Sequence, residues 1–164
     1  MSKGAIKIDK QAEAEKTTSK VVDPIPFMQV ALNCSVMAEK AKQKGDAATA
    51  ADFKALEDRA RKIVNAALSG ANDEAVNDVG NLCFMKVAMN LRIMADAAMK
   101  NEDYLRTKAY KVLKSEVENA MHYHNLAFEA SQRGDAESAE YWKDLGVKAV
   151  PKSLKDDLKF LRRK

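Results

Sequence analysis

The chain has 164 residues, a formal net charge of +4 and 32% charged residues. This length suits one domain whose core is large enough to need no disulfide or structural metal. Glycine and proline number only six and three, which favours helix over sheet. The two cysteines, Cys34 and Cys83, lie among apolar neighbours without a CxxC spacing, so we expect buried free thiols in a reducing cytoplasm.

The positive charge is concentrated at the two ends of the chain. Residues 1–22 carry five lysines against three acids, and residues 151–164 carry six basic residues against two acids. A nucleic-acid footprint requires a basic face on the folded body, so any such contact is expected only through the basic termini. The start of the chain lacks the apolar core of a secretory signal, and we expect a cytoplasmic protein with no membrane partner.

Three regions follow from the pattern along the chain. We predict a flexible N-terminal segment at 1–22, a helical domain at 23–150 and a short basic C-terminal helix at 151–164. The first helix is capped by Asp23 and ends near Gly45, and its apolar face includes Phe27 and Cys34. The second helix follows from Asp46 and ends at Ser69-Gly70, so the two helices are antiparallel.

The third helix begins at Asn72-Asp73 and ends near Met99. It contains the most apolar stretch of the chain, 82–99, and both of its faces are expected to be at least partly covered. Asp103 caps the next helical pattern, in which no glycine or proline appears before Gly134. This pattern is either one helix of about 30 residues at 103–133 or two helices with a turn near 118–122.

Asp135 caps a shorter helix that Pro151 ends, and Leu154, Leu158 and Leu161 share one side of the final segment. The sequence therefore predicts an all-α protein of five or six antiparallel helices.

Three segments align with one another without a gap. They begin at Met37, Met94 and Leu126. The alignment superposes three capping aspartates and three aromatic residues, which are Asp46, Asp103 and Asp135, and Phe53, Tyr110 and Trp142. Each segment reads as helix, tight turn and helix, with the aromatic residue filling the space between the helices. This pattern predicts an internal repeat of helical hairpins.

The third segment, 119–151, resembles a tetratricopeptide repeat. The residues that match its motif are Tyr123, Leu126, Ala127, the Gly134-Asp135 turn, Ala139 and Pro151. The segments at 31–62 and 88–119 match it more weakly, and Ala130 stands where that family usually has an aromatic residue. The resemblance implies stacked hairpins with a groove between them, whereas an unbroken helix at 103–133 would give a simple helical bundle.

The resemblance also implies which residues line the groove and hold a segment of another protein. They are Leu32, Ser35 and Glu39, then Met89, Arg92 and Asp96, then Met121, His124 and Phe128. On this interpretation the protein is a non-enzymatic interaction or scaffold module in which flexible methionines adapt to an apolar partner and Arg92 pairs with a carboxylate. The competing interpretation is that Arg92 pairs with Asp96 at spacing i,i+4 and the methionines fill the core.

An alternative is a helical bundle that binds a metal or a small ligand and acts as an enzyme. Glu118 and His122 stand at i,i+4 and could supply two metal ligands, but no second helix offers a complementary pair. The chain also lacks a phosphate-binding glycine loop, a nucleophile elbow and an HExxH motif. We therefore expect no cofactor and no catalytic residue. The sequence does not decide whether the protein forms a homo-oligomer.

Overall fold

The computed structural model describes residues 21–159, and all regular structure within this range is helical. This confirms the predicted all-α class. The predicted flexible segment at 1–22 lies outside the described residues except for Val21 and Val22. Five α-helices and one short 3-10 helix follow in chain order: α1 Ile25–Gln43, α2 Ala47–Leu68, α3 Asn72–Lys100, α4 Tyr104–Gln132, α5 Ala136–Ala149 and the 3-10 helix Lys152–Leu154.

The four turns that join α1 to α5 lie where the sequence predicts them. In each, a residue in the left-handed region ends the preceding helix, and these residues are Gly45, Gly70, Glu102 and Gly134. The side chains of Asp46, Asp103 and Asp135 each accept a hydrogen bond from the backbone N–H three residues later. These bonds satisfy donors that the first turn of a helix leaves unpaired, which fixes where α2, α4 and α5 begin.

Two predicted caps have other roles. Pro24, not Asp23, is the N-cap of α1, and Asp23 Oδ1 accepts a hydrogen bond of 3.0 Å from the backbone N–H of Ile25. Asn72 is the first residue of α3, and its Oδ1 accepts a 2.9 Å hydrogen bond from the backbone N–H of Val22. The amide of Asn72 therefore ties the segment before α1 to the start of α3.

The structure settles the alternative at 103–133 in favour of one helix. α4 runs without a break through residues 118–122, so the second helix of the middle segment and the first helix of the third segment are the two halves of α4. Two of the three aligned hairpins, α3–α4 and α4–α5, therefore share a helix. No turn separates them in the way that stacked repeats require.

The end of the described chain differs from the predicted C-terminal helix. After the 3-10 helix Lys152–Leu154 the backbone forms turns over residues 155–158, and Leu161 lies outside the described residues. Leu158 belongs to the core and is 2% exposed, and Leu154 packs against the same cluster.

The helices form a meander in which extensive packing joins only helices that are consecutive in the chain. α1 and α5 are consequently the two ends, and α3 lies between α2 and α4. One core cluster links α1, α2 and α3, and it consists of Cys34, Leu56, Ile63, Leu82 and Met89. The other links α3, α4 and the segment after α5, and it consists of Phe84, Leu91, Val117, Ala120, Val150 and Leu158.

The turn between α3 and α4 generates a prediction about stability. Glu102 adopts φ 58°, which places its Cβ in a strained position that glycine avoids. We expect Glu102→Gly to raise the free energy of unfolding by about 1 kcal/mol, measured by urea denaturation. Gly134→Ala, at φ 75° with open space around the added Cβ, is the reverse control and should lower it by a similar amount. Destabilisation by Glu102→Gly would contradict the strain argument.

Candidate functional site

The α3 part of the predicted groove lies under α2. Met89 is 7% exposed and belongs to the core cluster that also contains Leu56 and Ile63 of α2. The side chain of Arg92 points at the start of α2, where its Nε lies 2.6 Å from Asp52 Oδ2 and its Nη2 lies 2.9 Å from Thr49 Oγ1. Met89 is therefore a core residue and not an open surface.

The charge of Arg92 is matched within the chain. Besides its contact with Asp52, its Nη1 lies 2.6 Å from Oδ2 of Asp96 at the i,i+4 spacing. Burial lowers the pKa of Arg92, but the hydrogen bond to Asp52 and the charges of both carboxylates raise it overall, so the guanidinium stays charged. The pairing with Asp96 agrees with the second interpretation of the sequence, whereas the contacts with Asp52 and Thr49, which join α2 to α3, were not predicted.

The α4 part of the predicted groove faces α3. Met121 packs against the core cluster around Phe84 and Val117, and Phe128 is partly buried on the same side of α4. The Nε2 of His124 lies 3.3 Å from the carbonyl oxygen of Asn77, and its ring centroid lies 5.6 Å from that of Phe84. These side chains contribute to the packing of the two longest helices.

The α1 part of the predicted groove lies at one end of the meander. Leu32 and Glu39 are exposed and Ser35 is partly buried. The nine predicted residues thus do not share one open surface, because those on α3 and α4 lie largely between helices and those on α1 lie at the end of the molecule. Leu32 is the large apolar member of the set that solvent reaches most freely, at 59% exposed.

A polar cluster lies within the interface between α3 and α4. Asn125 Oδ1 accepts hydrogen bonds from Nδ2 of Asn81 at 2.8 Å and Nδ2 of Asn77 at 3.3 Å. Asn81 is 1% exposed, and within residues 21–159 the Oδ1 atoms of Asn77 and Asn81 are buried without a hydrogen-bond partner. Buried amides at one register position favour a single alignment of α3 on α4, because a slip would leave more polar atoms unpaired.

A buried ion pair favours a single alignment of α2 on α3, as the amides do between α3 and α4. Asp78 is 2% exposed, and its carboxylate lies 2.6 Å from Arg59 Nη1 and 3.6 Å from Lys62 Nζ. Removing Asp78 would leave Arg59 and Lys62 without their shared partner, and removing Arg59 would leave the buried carboxylate with only the more distant Lys62. The charged groups of this interface are matched to one another and hold helices together.

The residues of the metal alternative do not form a cluster. Glu118 pairs with Lys114, and His122 is exposed with its ring near Tyr123. Among residues 21–159 there is no group of three or more histidine, cysteine, aspartate or glutamate side chains able to hold a metal ion. Cys34 and Cys83 are free, and burial is the main cause that raises the pKa of both thiols, which disfavours the nucleophilic thiolate.

The outward face of α1 carries a row of exposed aliphatic side chains. Its members are Ile25, Met28, Leu32 and Val36, which are 69%, 48%, 59% and 54% exposed. We call this row the α1 stripe. The spacings of three, four and four residues place all four side chains on one side of the helix, opposite the side that packs on α2.

The sequence around the α1 stripe is free of charge. No charged residue occurs from Pro24 to Ala38, in a chain with 32% charged residues. A surface-exposed helix normally carries charges on its outward face. Sequence reasoning assigned only the opposite side of α1 to packing and missed Ile25, Met28 and Val36, although their helical spacing and the uncharged run were both readable.

A second surface feature lies on the first half of α4. It is an open depression of about 530 Å³ beside Met99, bordered by Tyr104, Lys108, Lys111 and Val112. None of the nine predicted residues lines it. Its lining mixes charged, neutral polar and apolar side chains and is widely open to solvent, which differs from the enclosed character of small-molecule sites.

Comparison with protein-family models, with curated proteins and with solved structures finds no match to this chain. None of the described helices is long and apolar enough to cross a membrane. The fold and the surfaces therefore define an all-α meander whose charged interior groups are paired and whose α1 end is apolar.

The position of His124 predicts a pH dependence of stability. Burial lowers the pKa of His124, and the contact with the carbonyl of Asn77 only partly opposes this effect. The unfolded chain thus binds the proton more readily, so the contribution to stability is complete above about pH 6.5 and is lost as pH falls below it, by at most about 1.4 kcal/mol per pH unit.

We expect His124→Gln to weaken the loss of stability between pH 7.5 and 5.5, measured by urea denaturation at both values. His122→Gln changes an exposed histidine two residues away and serves as the matched control. Equal pH dependence in the wild type and in His124→Gln would show that His124 is not the responsible group.

The polar cluster of Asn77, Asn81 and Asn125 also predicts an effect on stability. Asn125→Ala removes the acceptor of two amide donors in the α3–α4 interface, and unpaired buried donors are expensive. We expect the free energy of unfolding to fall by about 2–4 kcal/mol. Asn119→Ala, at an exposed position of α4, should change it by less than about 0.5 kcal/mol. Comparable losses in the two variants would indicate that the cluster has no special role.

Proposed function

We propose that this protein is a non-enzymatic interaction module that docks another protein chain on the α1 stripe. The observation that carries this proposal is the row of four aliphatic side chains on α1, each about half exposed or more, within a helix face that has no charged residue. Contiguous apolar surface of this kind on a folded protein commonly marks a site of protein–protein contact.

The two ends of the meander support the same interpretation by their contrast. The outward side of α5 carries exposed charged residues at nearly every helical turn: Glu137, Glu140, Asp144 and Lys148. Stacks of helices need polar outer faces at their ends to remain soluble, and α5 supplies one. α1 supplies no such polar face. Its outward side has the apolar composition of a helix face that another element covers.

The pattern that resembles a tetratricopeptide repeat points to the same class of function. Members of that family hold segments of other proteins in a groove between stacked hairpins. Because the unbroken α4 removes a turn that such a stack requires, the proposal rests on the α1 stripe and takes only the class of function from the resemblance. The docking surface that we propose differs from the groove implied by the resemblance, since it retains Leu32 and replaces the buried Met89 with exposed neighbours on α1. Docking would proceed by burial of aliphatic surface, which contributes about 25 cal/mol per Å².

Site-specific photo-crosslinking tests the proposal. A benzophenone amino acid at position 32 should form adducts with a protein chain in cells of the source organism, whereas the same group at position 105 should not. Leu105 is the matched control because it is also an exposed leucine, at 85%, and lies on α4. Adding Val36→Glu should reduce the adduct at least tenfold, because the charge would be desolvated on docking.

Two results would contradict the proposal. One is an absence of adducts at position 32, and the other is an identical set of adducts at positions 32 and 105. The mass of the crosslinked chain shows whether the occupant is a second copy of this protein or a different protein.

A further inference from the structure

We propose that the chain docked on the α1 stripe is a second copy of this protein, with the two α1 helices antiparallel about a two-fold axis. This inference rests on the proposed function, because it names the occupant of the same surface. It follows from the spacing of the stripe, the distribution of charge around it and the difference between the two ends of the meander.

The spacing of the α1 stripe fits antiparallel self-pairing. If Ile25 faces Val36 of the second copy, the register of two antiparallel helices places Met28 beside Leu32 of the second copy, within one residue. Each aliphatic side chain on one helix then meets an aliphatic side chain on the other. A two-fold arrangement makes each contact twice, so this single row of residues is complementary to itself.

The distribution of charge fits the same arrangement. The uncharged run from Pro24 to Ala38 spans the whole paired region, so no like charges oppose one another there. Beyond it, antiparallel pairing brings Asp23 at the start of one α1 towards the end of the other, where Lys40 and Lys42 outnumber the single carboxylate of Glu39. These opposite charges also lie at the helix ends where the helix dipoles favour them.

The charged end of the meander argues against the other simple assembly. A head-to-tail contact would press the α1 stripe against the outward side of α5, where it would desolvate Glu137, Glu140 and Asp144. Repeated head-to-tail contacts would also generate an open filament, whereas the two-fold contact closes after two copies. The N-terminal residues 1–20 of the same chain are a poorer candidate for the occupant of the α1 stripe. Their large apolar side chains are only Met1, Ile6 and Ile8, fewer than the stripe presents.

The size of the surface sets the strength that we expect. A helix of 19 residues has a face roughly 28 Å long and 10 Å wide, less than the ~800 Å² per partner of a standard stable interface. An interface of this size belongs to the weak, transient class, so the dimer should form only at micromolar or higher concentration. It should be a concentration-dependent dimer and not a permanent one.

Sedimentation velocity of the full chain from about 1 to 300 µM tests the inference directly, because this range covers the micromolar and higher concentrations at which the dimer should form. The mass should rise from 18.1 kDa towards twice that value. Leu32→Glu should weaken association at least tenfold, and Leu105→Glu should leave it unchanged. Both positions are exposed, so far-ultraviolet circular dichroism should show an intact helical fold in each variant.

A charge-swap mixture tests the antiparallel register. Leu32→Glu and Met28→Lys should each self-associate poorly, but a mixture of the two should form a heterodimer, since the carboxylate introduced in one copy would face the ammonium group introduced in the other. A mixture that associates no better than either variant alone would overturn the antiparallel arrangement.

The remaining outcomes separate this inference from the proposed function. A wild-type chain that stays at 18.1 kDa throughout the range overturns the dimer. If position 32 then crosslinks to a different protein, the proposed function stands with another occupant. If position 32 forms no adduct either, both proposals fail.

Discussion

The packing of α3 on both of its sides is the constraint on which the rest of this structure depends. Because extensive contacts join only consecutive helices, α3 must present one apolar face to α2 and another to α4. Leu82 and Met89 fill the first contact, while Phe84 and Leu91 fill the second, and all four are buried. A helix that is apolar on two sides cannot remain at the surface, so α3 becomes the centre and α1 and α5 become the ends.

Most of the helix boundaries followed from local chemistry that the sequence displays. Asp46, Asp103 and Asp135 cap helices as expected, because a carboxylate three residues before a free N–H acts within a single turn. The continuity of α4 could not be decided in this way, since an uncapped turn leaves no sequence signal and tertiary packing makes the choice. The left-handed conformation of Glu102 was equally unreadable, because a non-glycine residue tolerates it only where the surrounding helices impose it.

The predicted groove shows where local reasoning reaches its limit. A register taken from a repeat pattern puts Met89 and Arg92 on an outward face, but α2 runs for 22 residues and covers that face. Arg92 then finds Asp52 and Thr49, which lie some forty residues earlier in the chain and cannot be recognised as partners from spacing alone. The turns at Gly45, Gly70 and Gly134 share their backbone conformation, and since Gly70 lies outside the aligned segments, this turn chemistry is general to tight helical connections.

The outward face of α1 departs from the usual composition of a surface helix. The side that packs on α2 combines four small buried residues with the partly buried Phe27 and Val30, whereas the α1 stripe points outward. The small residues are Ala31, Cys34, Ala38 and Ala41. Small residues allow close approach to α2, and the exposed side chains of the α1 stripe take no part in that packing. Large aliphatic side chains that remained in water would add no stability and would lower solubility, and under the proposed docking the same side chains would contribute free energy by burial.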